Sequence, residues 1–438
     1  MSRDPGFRVA MLCLHSCPLD VPGTRDSGGM NVYVEQLAKN LGKLGIHVDI
    51  FTRRHQPAVP HFDDFMRDIT SKQRFTPARR PKQNGEGCNG RFNHGIIKLG
   101  EGVRLIHLPV EHDGGKLELY NYLPDFYSAI CHFAEKEETA YRIVHSHYWL
   151  SGAVGQMLAG RWQVPHVVMF HTSARAKNRY LDNSTEPQLR ADMEEQILSS
   201  ADLVVASTGR EKADLMELYG TEAEKIRVIP CGVDMKLFRP RDRLQARKVL
   251  GLNGIPIILY VGRIENGKGI ELLIDSLPLM SSHERSQLLL AGGGASNEKE
   301  IESIYMQSKR LGVDGRVSFC GTVNQKQLPL YYAAADVCVL PSQYETFGMV
   351  PLEALACGTP VIAPKVGAME DIIQPDINGL LLGERSPSQL ADALSILLGS
   401  KTSRQSLSSF CRSTAGEFNW PVIAGKMAGE YFTLIENV

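Results

Sequence analysis

Short apolar runs alternate with longer helix-patterned stretches along this chain, and the alternation is completed twice. The run "RVAMLCL" reads as a buried strand, "GGMNVYVEQLAKNLGKLG" as an amphipathic helix ended by Gly45, and "HVDIFTR" as the next strand. This is a βαβ unit in which Gly28 and Gly29 open the helix. Further strands are expected at "RLIHL", "YRIVHSH", "HVVMFHT" and "DLVVAST", with helices between them, notably "STEPQLRADMEEQILSSA". Near residue 230 the pattern restarts, with "IRVIPCGVD" followed by "PIILYVGRI", "QLLLAGG", "VSFCGT", "DVCVLPS" and "PVIAP". Strands that alternate with helices pair in parallel, because each helix carries the chain back across a sheet face. The fold class is therefore α/β, with two doubly wound, Rossmann-like parallel-sheet domains. A length of 438 residues agrees, since one core rarely grows past roughly 250–300 residues. The expected division is 1–230, 231–415 and a last helix over 416–438, with the linker near "PCGVDMKLFRP". That last helix carries Trp420, Phe432 and Leu434, and either ends the second domain or crosses back onto the first.

One segment, about 57–95, does not fit the alternation. It is rich in Pro, Gly, Asn and Arg, and far longer than an ordinary strand connection, so it reads as an insertion. Arg67, Lys72, Arg74, Arg79, Arg80, Lys82 and Arg91 make it locally basic. A solvated loop accounts for it; a lid, a partner contact or a membrane-surface contact are the alternatives.

Several function classes drop out. The formal net charge is −1, so no global field favours nucleic acid, and no basic-aromatic stripe is present. No run of about 18 apolar residues occurs, and the N-terminal run is too short for a secretion leader and contains His15. The nine cysteines are scattered singly, without a CxxC pair, as expected of reduced thiols; Cys13 and Cys17 are not expected to bridge. A cytoplasmic protein without integral membrane contact is the expectation.

Four segments carry residue types suited to chemistry. "DSGGMN", Asp26 to Asn31, places two glycines at a helix start, where free N–H groups and the positive dipole end suit an anion; a plain tight turn explains it equally. "GRIENGKG" puts Arg263 and Lys268 at the C-terminal end of a strand, the edge where open α/β sheets bind ligands. Two cations there would neutralise a diphosphate, and exposed basic residues of a helix-entry loop are the bland reading. "YETFGMVPLE" sets Glu345 and Glu353 eight residues apart, about two helical turns, so both acids could hold a polyhydroxylated ligand. The alternative is a capping Glu345 and a solvated Glu353. "HSHYWLSG" and "FHTSARAKN" end strands with His145, His147 and His171, whose irregular spacing does not make a zinc site. His171 reads as a polar group facing the interdomain cleft. No GxSxG elbow or Ser-His-Asp order suggests acyl transfer.

Taken together, "GRIENGKG" and "ETFGMVPLE" make the chain resemble the family 4 retaining glycosyltransferases of GT-B fold, over nearly its whole length apart from 57–95. The resemblance implies a UDP-sugar donor in the cleft between the two domains. Glu345 would face donor-sugar hydroxyls and Glu353 the nucleotide ribose. Arg263 and Lys268 would clamp the diphosphate, the Gly29 backbone would reach the distal phosphate, and His171 would contact the sugar near its reacting carbon. Catalysis is then assigned to His171, Glu345, Arg263 and Lys268, with a front-side mechanism in which the leaving phosphate deprotonates the acceptor. No cofactor and no metal are expected to be required; a homodimer is compatible with the family.

"PGTRDSGGMNVY" and "HSHYWLSG" look most like the branch that transfers N-acetylglucosamine to inositol phosphate in mycothiol synthesis. Its acceptor pocket would correspond to Asn31, Lys116, Tyr148, Thr172 and Arg190, in which two cations and two hydroxyls suit one phosphate. Sucrose-phosphate synthases carry a similar pocket for fructose 6-phosphate. Lys116 lying along a surface and Arg190 paired with its i,i+4 neighbour Glu194 remain open readings. The long insertion departs from that branch. A phosphorylase would need a lysine for pyridoxal phosphate, and none is marked; a non-catalytic nucleotide-sugar sensor is the alternative of a different class.

Overall fold

The computed structural model describes residues 7–20, 27–54, 95–111, 115–182, 184–252, 254–280, 286–293, 297–399 and 410–436. The basic segment at 57–95 lies outside the described residues, apart from Gly95.

The first sheet is built from β1 (Arg8–Leu12), β2 (His47–Arg54), β3 (Ile96–Gly100), β4 (Val103–Glu111), β5 (Ile143–His147), β6 (His166–Met169), β7 (Leu203–Ala206) and β8 (Ile226–Val228). Their spatial order is β3-β4-β2-β1-β5-β6-β7-β8. The central strand β1 is flanked in parallel by β2, with Val9 opposite Val48, and by β5, with Val9 opposite Ile143. Burial on both faces explains why these strands are continuous apolar runs rather than alternating ones. The sheet is parallel, as expected, except at one edge. β3 runs antiparallel to β4, with Ile97 opposite Leu105. Only Glu101 and Gly102 separate the two strands. A connection that short permits nothing but a hairpin, and Gly102 supplies the positive φ of 66° that the turn uses.

The second sheet comprises β9 (Ile257–Val261), β10 (Gln287–Ala291), β11 (Val317–Gly321), β12 (Val337–Val339), β13 (Val361–Pro364) and β14 (Gly379–Leu382). Its order is β11-β10-β9-β12-β13-β14, and every pairing is parallel. The edge strand β14, "GLLL", is four residues long and was not anticipated from the apolar runs.

The helix Trp420–Glu436 packs against the first helix, Gly29–Lys43, on the first sheet. The Trp420 indole meets the Tyr33 ring edge-on at 5.4 Å, and the Phe7 ring sits 5.3 Å from Phe432. Two passes of the chain run side by side where the halves join. The Val233 N–H donates to the Phe418 carbonyl at 2.8 Å, and Gly232 lies so close under Trp420 that a Cβ there would meet its ring at 2.5 Å. Trp420 is almost completely buried. Replacing it with Ala should lower stability by about 3–5 kcal/mol, read as a shift of the urea midpoint at unchanged slope.

Candidate functional site

A cavity of about 600 Å³ lies between the C-terminal edges of the two sheets, large enough for one extended small-molecule ligand. Parallel strands all end at one edge, so the loops that follow β1, β5 and β6 face those that follow β9 and β12. The residues proposed from sequence converge on it. Gly29, Asn31, Lys116, Tyr148, His171, Thr172 and Arg190 line the first-sheet side, and Arg263, Lys268, Glu345 and Glu353 line the other.

On the first-sheet side, Gly28 is the N-cap of the helix that begins at Gly29. Asn31 locks this turn: its Oδ1 accepts from the Gly28 N–H at 3.1 Å, and its Nδ2 donates to Ser16 Oγ at 2.7 Å and to the Cys17 carbonyl at 2.6 Å. Its side chain is thus largely committed to holding the glycine turn against the loop after β1. Tyr148 and His171 both have positive φ, 75° and 62°, rare for residues with side chains. Strain of order 1–3 kcal/mol at each is what a functional site tolerates when its surroundings over-determine the backbone. Burial pushes the His171 imidazole down to about 3, so it is neutral.

Arg190 is the best-anchored cation. Its Nε donates to Glu194 at 2.7 Å, Nη1 to Glu186 at 2.8 Å, and Nη2 to the Thr172 carbonyl at 2.6 Å and Thr172 Oγ1 at 3.2 Å. The i,i+4 pairing with Glu194 left open above is therefore present, and it coexists with a place in the cavity wall. The guanidinium lies 4.8 Å from the centre of the Tyr148 ring, and Lys116 Nζ 5.7 Å from the same centre. Burial works against the Arg190 charge, but the attraction of Glu194, Tyr148 and Glu186 outweighs it and holds the group ionised.

On the second-sheet side, Gly269 turns the chain at φ 72° into the helix Ile270–Ser276, so Lys268 is presented at a helix entry. A Cβ on Gly269 would meet the Pro341 carbonyl oxygen at 2.1 Å, which reserves the position for glycine. Lys268 Nζ donates to Glu345 Oε1 at 2.6 Å, and Ser342 Oγ to the same oxygen at 2.8 Å. Arg263 pairs with Glu265 at 2.9 Å. Glu353 sits within the helix Met349–Ala356 and is buried, not solvated. It accepts from the Tyr332 hydroxyl at 2.8 Å, and burial pushes its carboxyl up to about 7.

The histidine motifs divide. His171 faces the cavity, whereas His145 and His147 are fully buried behind it. Among the described residues no group of His, Cys, Asp and Glu is arranged to hold a metal ion. Cys13 and Cys17 are not joined by a disulfide. Sequence reasoning missed His15, Lys177 and Gln325, which also line the cavity. His15 was detectable, since it follows β1 at the same sheet edge; Gln325 and Lys177 carried no local signal.

The Glycosyl transferase 4-like domain family matches residues 28–232, and the Glycosyl transferases group 1 family matches residues 242–413. The D-inositol 3-phosphate glycosyltransferase of Xylanimonas cellulosilytica is 35% identical over 438 residues, covering 97% of this chain and 96% of that protein. The one of Kribbella flavida is 36% identical over 444 residues, covering 99% and 97%. Among solved structures, sucrose-phosphate synthase from Thermosynechococcus elongatus superposes with a TM-score of 0.83 at 31% identity, covering 99% of this chain and 100% of that one. With two sheets of this order, a cavity between their strand ends and matches along both halves, the chain belongs to the family 4 glycosyltransferases, hexosyl-transferring enzymes of GT-B fold.

Proposed function

We propose that the chain transfers a sugar, with retention at the anomeric carbon, from a UDP-sugar to a phosphorylated polyol, and that the pair is N-acetylglucosamine and inositol phosphate. The observation that carries this reading is the cluster of Arg190, Thr172, Tyr148 and Lys116 at one end of the cavity. Two cations beside two hydroxyls suit a phosphate monoester. The relatives named D-inositol 3-phosphate glycosyltransferase support that acceptor. The likeness to sucrose-phosphate synthase supports a second one, fructose 6-phosphate with glucose as the donor sugar.

At the other end, Arg263 and Lys268 take the donor diphosphate, Glu345 a sugar hydroxyl and Glu353 the ribose. The Gly29 N–H, at a helix start, takes the distal phosphate. His171 contacts the sugar near its anomeric carbon. The sugar leaves as an oxocarbenium-like fragment while the departing phosphate oxygen accepts the acceptor proton, so no protein nucleophile is used. Positioning and stabilisation of the diphosphate supply the rate. Two cationic side chains occupy the role a divalent ion would otherwise fill, and the reaction is proposed to run without one. None of the eight described cysteines is in a disulfide, which supports a reducing, cytoplasmic setting.

Nucleoside diphosphate release tests the assignment, with UDP-N-acetylglucosamine and UDP-glucose each paired with inositol phosphate and fructose 6-phosphate. Acceptor-stimulated release is expected with UDP-N-acetylglucosamine and inositol phosphate; stimulation only by UDP-glucose with fructose 6-phosphate would replace it with the second reading. Lys268→Ala should lower kcat/KM by about 2–4 kcal/mol, the range for removed oxyanion donors. Unchanged turnover would take Lys268 out of the clamp.

The Glu353 carboxyl gives a pH dependence. Unfolded, it ionises near 4.5; folded, near 7. Folding therefore retains a proton between those values, and its contribution to stability falls as pH rises from about 4.5 to 7. Ribose hydroxyls donate to the ionised form, so donor affinity should rise with pH by at most about tenfold per unit until the pH passes 7. Calorimetric titration with a UDP-sugar, whose esterified diphosphate has no proton to lose near neutrality, in two buffers of different ionisation enthalpy should detect the proton released at pH 6.5, and Glu353→Gln should abolish that release.

A further inference from the structure

Behind the cavity wall two buried imidazoles, His145 and His147, lie in contact, and the reaction as described uses neither. His147 Nδ1 lies 2.9 Å from His171 Nε2. The His145 and His147 ring centres are 4.3 Å apart, and His145 Nδ1 is 2.7 Å from the Tyr431 hydroxyl. Tyr33 meets both His147 and His171 edge-on, at 5.7 and 5.2 Å. His147 is fully buried, so its ring has one fixed environment.

Both imidazoles of the His147–His171 pair are neutral, since burial lowers each well below its ordinary range. Two neutral imidazoles joined by one hydrogen bond must take opposite roles, one donating and one accepting. His147 Nε2 decides which. It is buried and has no hydrogen-bond partner among the described residues. A proton on that nitrogen would be an unpaired buried N–H, whereas a proton on Nδ1 is given to His171 and leaves only a lone pair unmatched. Orphaned buried N–H groups are the rarer and costlier case. His171 then accepts at Nε2 and carries its own proton on Nδ1. That nitrogen has no partner among the described residues and belongs to a half-buried ring in the cavity wall.

We propose that His147 is a positioning residue that fixes the tautomer of His171, presenting His171 Nδ1–H to an oxygen of the donor sugar or its diphosphate. The inference rests on the placement of His171 beside the donor sugar. It identifies what orients the donor: which nitrogen of a histidine is protonated is set by the bond its other nitrogen makes.

The test reads the tautomer without substrate. In full-length protein carrying 15N-labelled histidine, the His171 ring is found by difference against His171→Gln, and its protonated nitrogen is read from its couplings. Nδ1 is expected. His147→Asn can replace the missing donor with its amide N–H, and should keep both the Nδ1–H form and most of kcat. His147→Leu cannot, and should populate the Nε2–H form while lowering kcat by about 10- to 100-fold at nearly constant donor KM, as for other outer partners of a functional histidine. An Nε2–H His171 in the unsubstituted protein overturns the proposal, as does equal loss of kcat in both variants with the tautomer unmoved. An Nδ1–H His171 in a protein that transfers no sugar with any of the four substrate pairs leaves the tautomer assignment standing and removes the proposed reaction instead.

Discussion

Parallel pairing makes every strand of a sheet end at the same edge, and the chemistry of this protein depends on that constraint. Residues distant in sequence, such as His15, Tyr148 and His171, are brought together because each follows a neighbouring strand of one sheet. The same rule gathers Arg263 after β9 and Glu345 after β12 on the other. Neither edge makes a site alone. Facing each other, they create a cavity with cations at both ends and a neutral histidine in its wall.

The charges in the cavity are matched before any ligand arrives. Lys268 is held by Glu345, Arg263 by Glu265, and Arg190 by Glu194 and Glu186. Such pairing keeps long side chains in one place, so less conformational freedom is lost when an anion binds. On the proposed assignment, a diphosphate would have to compete with the Glu345 carboxylate for Lys268, and its binding would free Glu345 to accept sugar hydroxyls.

Much of this was legible in the sequence, and the parts that were not have common causes. The strand runs were readable because parallel strands buried on both faces are continuous apolar segments, as in "PIILYV" and "HVVM". Arg263, Lys268 and Glu345 were readable because glycines and prolines mark the strand ends around them. The antiparallel β3 escaped notice because "IIKLG" is half-exposed and weakly patterned. The burial of Glu353 was not readable, since spacing gives the side of a helix but not what covers it. Nor was the partner of Lys268, which lies 77 residues away in sequence. The His147–His171 contact belongs to the same class: it joins two strand ends, and only strand adjacency in β5 and β6 makes it.

The two adjacent passes between the halves have a mechanical consequence. The chain leaves the first half after β8, builds the whole second sheet, and returns at the start of the C-terminal helix, beside the point where it left. Topologically the second half is an insertion held at its neck. The two passes are bonded to each other where the Val233 N–H donates to the Phe418 carbonyl, so the halves are tied at that neck. Sliding or twisting would break the hydrogen bond between the passes or pull Trp420 from its seat on Gly232 and Tyr33. Any movement of one half against the other would therefore have to keep, or break, the Val233–Phe418 hydrogen bond and the seat of Trp420 on Gly232.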